Sequence, residues 1–249
     1  MVEQYIYRTK DEMGAAAANA TGQIIKSAIR NKGQANIILS TGASQFPIFK
    51  HLVASKGIDW FKVVVFHLDE YIGIGADHPA SFRKYLQERF IDKVSPLRSV
   101  YFVRGDSSDP AGECERLAVL IEAHPIDVAC IGIGENGHLA FNDPPADFET
   151  EKPYIVVQPN ETCRKQQLGE GWFAKLEDIP QQAISMSIRQ ILKSDHLIVT
   201  VPDMRKAKPA KNALEGPVTP ECPASILRQH PNCSIFFDEP AASLLASER

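Results

Sequence analysis

IGIGENGHLAFNDPP, residues 131–145, follows an apolar run that begins at Ile126 and gathers glycines, a histidine and short polar side chains into one stretch. Gly132, Gly134 and Gly137 match the G-x-G-x-x-G spacing of a dinucleotide-binding turn. That turn needs a helix opening at its third glycine, so that a pyrophosphate rests on the helix N-terminus. Here Gly137 runs into His138 and, within eight residues, into Pro144-Pro145, which leaves no room for a crossover helix. The stretch therefore reads as a buried strand that opens into a polar loop at its carboxyl end. Histidine is the side chain suited to proton transfer near neutral pH, and Asp143 stands close enough in sequence to orient His138. The plainer alternative is a structural turn with His138 facing solvent.

Working outward, the chain alternates short apolar runs with segments of helical spacing. Strands are expected at 5–7, 35–39, 62–68, 100–103, 126–133, 154–157, 183–186, 196–201 and 233–237. Between them, helical patterns start at the Thr9/Glu12 capping box, ending at Gly33, and recur through Ile48 to Val53, Phe82 to Phe90, 111–123, 187–193, 203–214 and from 241 onward. The polar segment 159–180, with Gly169, Gly171 and Trp172, reads as a lid. The alternation predicts one α/β domain over residues 1–249, a Rossmann-like, doubly wound and mostly parallel sheet with helices on both faces. Ligands of such sheets bind beyond the carboxyl ends of the strands.

Those ends carry the other polar clusters. Asp69-Glu70-Tyr71 follows the 62–68 strand, and in an extended chain the two acids point opposite ways, so one of them at most faces a ligand. A carboxylate there is a natural base for removing a proton next to a carbonyl; a helix cap or solvated turn is the bland alternative. Ser40-Thr41-Gly42-Ala43-Ser44 follows the 35–39 strand with side chains small enough for helix-start N–H groups to approach a phosphate, or simply makes a tight turn. Arg205 and Lys206 fall in the expected first turn of a helix, where cations oppose the helix dipole and an anionic ligand would relieve them.

The bulk properties narrow the partners. A net charge of −4 gives no reason to expect nucleic acid or an anionic membrane, so any bound anion must be met by local groups. Five scattered cysteines without C-x-x-C suggest neither a disulfide framework nor a zinc knuckle, and no window approaches a membrane span of about 20 apolar residues. A cytoplasmic protein is expected. The remaining histidines show no metal-ligand spacing, so no metal and no cofactor is expected.

The pieces LSTGASQFP, FHLDEYIGIGADHPASF, GIGENGHLAFNDP, RKAKPAKNALEG and FFDEPA together make the chain resemble the glucosamine-6-phosphate deaminase/isomerase family, with the 6-phosphogluconolactonases as more distant members. The resemblance covers nearly the whole chain. It implies conversion of an amino-hexose 6-phosphate, most simply glucosamine 6-phosphate, to fructose 6-phosphate and ammonia by a metal-free hydrolase/isomerase, a monomer or homo-oligomer. By resemblance Asp69 is the base that moves the C2 proton and His138 assists ring opening. Asp143 stands where deaminases commonly carry glutamate, and Asn136 where many carry aspartate. Thr41, Gly42, Ser44 and Lys206 match phosphate-binding positions, with Ala43, Glu70 and Gly137 as neighbouring candidate contacts. Arg164 is a candidate replacement for a phosphate-binding arginine in the lid. The chain stops at Arg249, soon after FFDEPA, so activation by an N-acetylhexosamine phosphate is not expected. A sugar-phosphate lactonase and a catalytically silent sugar-phosphate sensor are the alternatives.

Overall fold

In the computed structural model, which describes residues 2–169 and 171–246, the capping box at Thr9 and Glu12 closes. Glu12 N–H donates to Thr9 Oγ1 at 3.2 Å and Thr9 N–H to Glu12 Oε2 at 3.1 Å. Helix α1 (Lys10–Lys32) then runs to Gly33, whose φ of 79° makes a left-handed cap. Ahead of α1 lies β1 (Glu3–Tyr7). After it come β2 (Ala35–Leu39), α2 (Phe46–Leu52), β3 (Val63–His67), β4 (Asp69–Tyr71), α3 (Phe82–Leu86), α4 (Asp92–Val94), β5 (Ser99–Tyr101), α5 (Pro110–Glu122) and β6 (Val128–Gly132). The chain continues through β7 (Tyr154–Val157), α6 (Glu161–Gly169), β8 (Ala183–Met186), α7 (Ile188–Leu192), β9 (His196–Val201), α8 (Ala207–Glu215), β10 (Cys233–Asp238) and α9 (Glu239–Ala242).

Seven strands, in the order β1-β10-β9-β6-β2-β3-β5, form a wholly parallel sheet. The Val/Ile-rich sequences of β2, β3 and β6 are buried almost throughout, as expected of parallel strands covered on both faces. Alternate residues serve alternate faces. Ile37, Leu39, Val63 and Val65 pack under α1, α2 and the helices through Tyr85 and Phe90, while Ile38, Val64, Phe66 and Ile131 pack under α5, α7 and α8. From β2 the chain steps through β3 to β5 on one side and through β6, β9 and β10 on the other. The reversal leaves a crevice at the carboxyl ends of β2 and β6.

One expectation is corrected. The runs at 154–157 and 183–186 are strands, but they do not join the parallel sheet. They form a separate antiparallel sheet, β4-β8-β7, whose third member is Asp69–Tyr71 itself. A short apolar run reports burial, and neither its partner nor its direction is written in its periodicity. Leu68 joins the two sheets: its N–H donates to Leu39 O at 3.2 Å and its C=O accepts from Met186 N at 3.0 Å. Tyr154 Oη, donating to His67 O at 2.9 Å, ties them a second time. The lid segment holds α6 and a short 3-10 turn, Leu176–Asp178. Among the described residues no helix is long and apolar enough to cross a membrane.

Candidate active site

The crevice opens into a cleft lined by residues that follow β2, β3, β6 and β9 and by residues of the 159–180 segment. On one wall, Thr41, Gly42, Ala43 and Ser44 leave β2 and enter a 3-10 turn, Ala43–Gln45, that continues into α2. No side chain caps this helix start; Gln45 N–H closes the turn on Gly42 O at 2.9 Å. The loop is fixed from β9: Gln45 Nε2 donates to Thr200 Oγ1 at 2.8 Å, and Thr200 Oγ1 donates to Ser44 O at 3.1 Å. Thr41 Oγ1 is buried without a hydrogen-bond partner.

A second helix start comes from β9. The expected helix from residue 203 begins as a 3-10 turn, Met204–Lys206, and is also uncapped by any side chain. Lys206 is buried and lines the cleft, whereas Arg205 sits at its rim, half exposed, with Nη1 3.0 Å from Glu135 Oε1. Asp203 has a φ of 80°, a left-handed conformation that needs support in a residue bearing a Cβ. The support is Asp238 in the FFDEPA segment. Its two carboxylate oxygens accept from Asp203 N–H, each at 3.1 Å, while Oδ1 also caps α9 through Ala241 N–H at 2.9 Å. A segment singled out only by resemblance thus positions Lys206 from behind.

The 131–145 stretch forms the opposite wall. No helix opens at Gly137, whose φ of 84° lets the loop turn back so that Gly134 N–H reaches His138 O at 2.9 Å. Gly134 is required for a different reason: a Cβ there would lie 2.3 Å from the imidazole ring of His138. His138 Nδ1 faces acceptors, Asn136 Oδ1 at 2.7 Å and Asp143 Oδ1 at 3.3 Å. Nδ1 therefore carries the hydrogen of the neutral ring, and Nε2 keeps its lone pair. The amide of Asn136 is oriented by its own bonds, since Nδ2 donates to Asp143 Oδ1 at 2.8 Å while Oδ1 accepts from the ring and from His138 N–H. Asn136 and Asp143 sit behind the histidine and do not line the cleft. Burial pushes the Asp143 carboxyl up, but the hydrogen bond and charge of His138, with donors from Asn136 and Asn160, outweigh it and hold the carboxyl below the usual range.

Asp69 and Glu70 have opposite fates, as alternation along β4 demands. Asp69 lines the cleft just beyond the Leu68 junction. Burial, with the charge of Glu70 next to it, pushes its carboxyl up to about 8. The expectation that Glu70 contacts a ligand is corrected: it is fully buried on the other side of β4 and caps the start of α3. It accepts from Ser81 Oγ at 2.8 Å, Arg83 N–H at 2.9 Å, Phe82 N–H at 3.2 Å and Tyr71 N–H at 3.0 Å. Burial raises this carboxyl too, and those donors pull it back. Gly137 likewise stays out of the cleft lining and serves the turn.

The lid closes the cleft with groups that sequence reasoning missed. Arg164 does not line it; Nη2 donates to Leu176 O at 2.7 Å and to Ile179 O at 3.3 Å, holding the lid's own loop. Gln166 and Gln167 line it instead. Gln166 Oε1 accepts from Glu135 N–H at 2.9 Å, and Asp143 Oδ2 accepts from Asn160 N–H at 2.7 Å, so α6 is docked on the histidine loop at two points. Helical position could not have separated the two glutamines from Arg164 without knowing which face of α6 meets the loop. His138, Asp143 and Cys163 bring ligand atoms within 4.8 Å of one another, a grouping with the make-up of a metal site. Both Asp143 oxygens are already taken up by N–H donors, and the ring by Asn136, so the cluster is satisfied as packed polar groups.

The arrangement offers a buried carboxyl, an imidazole with an oriented lone pair and two helix starts beside a lysine. The family model described as glucosamine-6-phosphate isomerases/6-phosphogluconolactonase matches residues 8–235. The chain is 34% identical over 238 residues to the glucosamine-6-phosphate deaminase of Exiguobacterium sibiricum, covering 95% of this chain and 92% of that one. It is 32% identical over 239 residues to that of Bacillus cereus, with 96% and 87% covered. A solved monomeric glucosamine-6-phosphate deaminase, 28% identical, matches with a TM-score of 0.88 over 98% of this chain and 100% of the other. The 6-phosphogluconolactonase of Shewanella baltica, 20% identical, shares the fold with a TM-score of 0.79 over 96% and 98% of the two chains. With its parallel sheet, its switch-point cleft and a match over 8–235, the chain belongs to the family of glucosamine-6-phosphate isomerases and 6-phosphogluconolactonases.

Proposed function

We propose that the protein converts glucosamine 6-phosphate and water to fructose 6-phosphate and ammonia. The observation that carries this reading is Asp69, a carboxyl on the cleft wall that burial pushes up to about 8, where it is a stronger base than an exposed aspartate and suited to removing a hydrogen next to a carbonyl. His138 Nε2 takes the proton of the sugar's O1 hydroxyl and returns it to the ring oxygen as the pyranose opens. Asp143, directly and through Asn136, steadies the imidazolium in between. The Asp69 carboxylate then removes the C2 hydrogen, the electrons form the C1–C2 double bond as O1 takes a proton from the 2-ammonium group to give an enolamine, and the same carboxyl gives its proton to C1, leaving a protonated imine at C2. Water hydrolyses the resulting C2 imine, releasing ammonia. The phosphate rests on the helix start at Gly42 to Ser44, the Thr41 hydroxyl and Lys206.

Residues 1–249 act in this reading as one cytoplasmic catalytic domain, a monomer or homo-oligomer, on a small sugar phosphate. The test is ammonia release by purified protein from glucosamine 6-phosphate and its galacto epimer; silence on both sinks the proposal. Lactone hydrolysis, the second reading, leaves the carbon skeleton untouched. Solvent deuterium at C1 of the ketose, or at C2 of recovered substrate, separates the two.

A further inference from the structure

Gln167 on α6 is 6% exposed, lines the cleft, and holds an Oε1 that is shielded from water without a hydrogen-bond partner. A buried acceptor left unmet is costly, so such an atom at a cleft wall marks where a ligand's donor completes the arrangement. The position is not loose. Its neighbour Gln166 is fastened to Glu135 N–H, and Asn160 at the foot of α6 is fastened to Asp143, which sets α6 against the His138 loop. Of the two cations on α6, Arg164 is spent on Leu176 O and Ile179 O, and the exposed Lys165 is paired with Glu161 at 2.6 Å. The lid therefore presents an amide to the cleft, while the groups suited to a phosphate, Lys206 and the Gly42 helix start, come from β9 and β2.

We propose that Gln167 is a specificity-determining residue whose Oε1 accepts a hydrogen bond from an N–H or O–H of the sugar, so that the lid reads the sugar and the sheet rim reads the phosphate. This rests on the amino-sugar phosphate reading of the cleft. An acceptor oxygen facing a phosphate would repel it, which makes the two assignments distinguishable by charge.

The test is calorimetric titration of 2-amino-2-deoxyglucitol 6-phosphate, glucitol 6-phosphate and inorganic phosphate into the wild type, Gln167→Leu and Gln167→Glu. Gln167→Leu is expected to weaken the amino-hexitol phosphate about tenfold and to leave inorganic phosphate within about twofold. Gln167→Glu, which keeps the shape and the acceptor, is expected to bind the amino-hexitol phosphate at least as tightly as the wild type. A loss with the amino-hexitol alone assigns the donor to the amine; an equal loss with glucitol 6-phosphate assigns it to a hydroxyl. Unchanged binding in Gln167→Leu, or a loss in Gln167→Glu that extends to inorganic phosphate, overturns the proposal. Ammonia release by the wild type is scored separately, so the reaction and the role of Gln167 stand or fall on different data.

Discussion

The rim of the parallel sheet and the lid hold their functional groups in different ways. At the rim, Ser44, Asp69, His138 and Lys206 each follow a strand whose register is fixed by parallel partners on both sides. Thr200 holds the Ser44 carbonyl, Ser185 pairs with Asp69 in the small sheet, Asp238 holds Asp203 ahead of Lys206, and Asn136 and Asp143 hold the His138 ring. The lid stands on α6, a 3-10 turn and a small aromatic cluster of Tyr71, Phe82, Phe141 and Phe173, and reaches the rim through two backbone N–H groups. In the proposed reaction, chemistry that tolerates little misplacement falls on the braced side, and recognition of the sugar on the side with fewer ties. That division is open to attack by substitution.

The sharpest break is between Asp69 and Glu70, adjacent residues on opposite faces of β4. Asp69→Asn is expected to cut kcat for ammonia release by about 10³-fold, with KM little changed, since it removes the base without removing a phosphate contact. The acid limb of kcat/KM in the wild type is expected near pH 8, following the Asp69 carboxyl. Stability moves with it. A carboxyl near 4 when unfolded and about 8 when folded holds its proton more tightly in the fold, so its contribution is intact below pH 4 and lost as pH rises through 8. The melting temperature of Asp69→Asn should therefore pull ahead of the wild type between pH 4 and 8. Glu70→Gln should do the reverse: lose about 1–3 kcal/mol of stability as the α3 cap fails, keep ammonia release, and shift the acid limb to lower pH because one negative neighbour of Asp69 is gone. A collapse of kcat in Glu70→Gln as deep as that of Asp69→Asn would erase the distinction between the two acids.

Next in size is Gly134→Ala. The new methyl would press on the imidazole at 2.3 Å, and the ring, which is held to Asn136 and Asp143 by side-chain bonds alone, is the part that gives way. The expected outcome is about a 10²-fold fall in kcat with a melting temperature within a few degrees of the wild type. A variant that fails to fold, or one with full activity, would mean that the loop backbone and not the ring absorbs the methyl.

The same division marks what was legible in the sequence. The strands that carry the rim were readable because parallel, doubly covered strands are continuous apolar runs, and polar residues at their ends have few places to go. Rejection of the nucleotide fingerprint rested on two prolines and stands, since Gly137 leads into turns. The small antiparallel sheet was not readable, because β7 and β8 look in sequence like any other buried strand. Glu70 and Arg164 are candidates through the resemblance, yet both are consumed by backbone groups: a helix start in one case, two carbonyls in the other. Asp238 was noticed only through resemblance, because its partner Asp203 lies 35 residues away and the strained φ that needs it has no sequence signature. Gln167 escaped for a related reason: an uncharged side chain in a polar segment becomes informative only once its burial is known.

The smallest effect is expected where the two regions meet. Gln166→Leu removes the acceptor for Glu135 N–H while Asn160 keeps its hold on Asp143, so the lid loses one polar tie to the histidine loop and keeps the other. The lost bond is worth about 0.5–1.5 kcal/mol, which predicts a rise of about two- to tenfold in KM. kcat should stay near the wild type, because His138, Asn136 and Asp143 keep their contacts with one another. Steady-state kinetics at fixed pH read both constants at once. If kcat falls in step with KM, then α6 helps to hold the histidine in place during the reaction, and the lid belongs with the catalytic rim instead of opposite it.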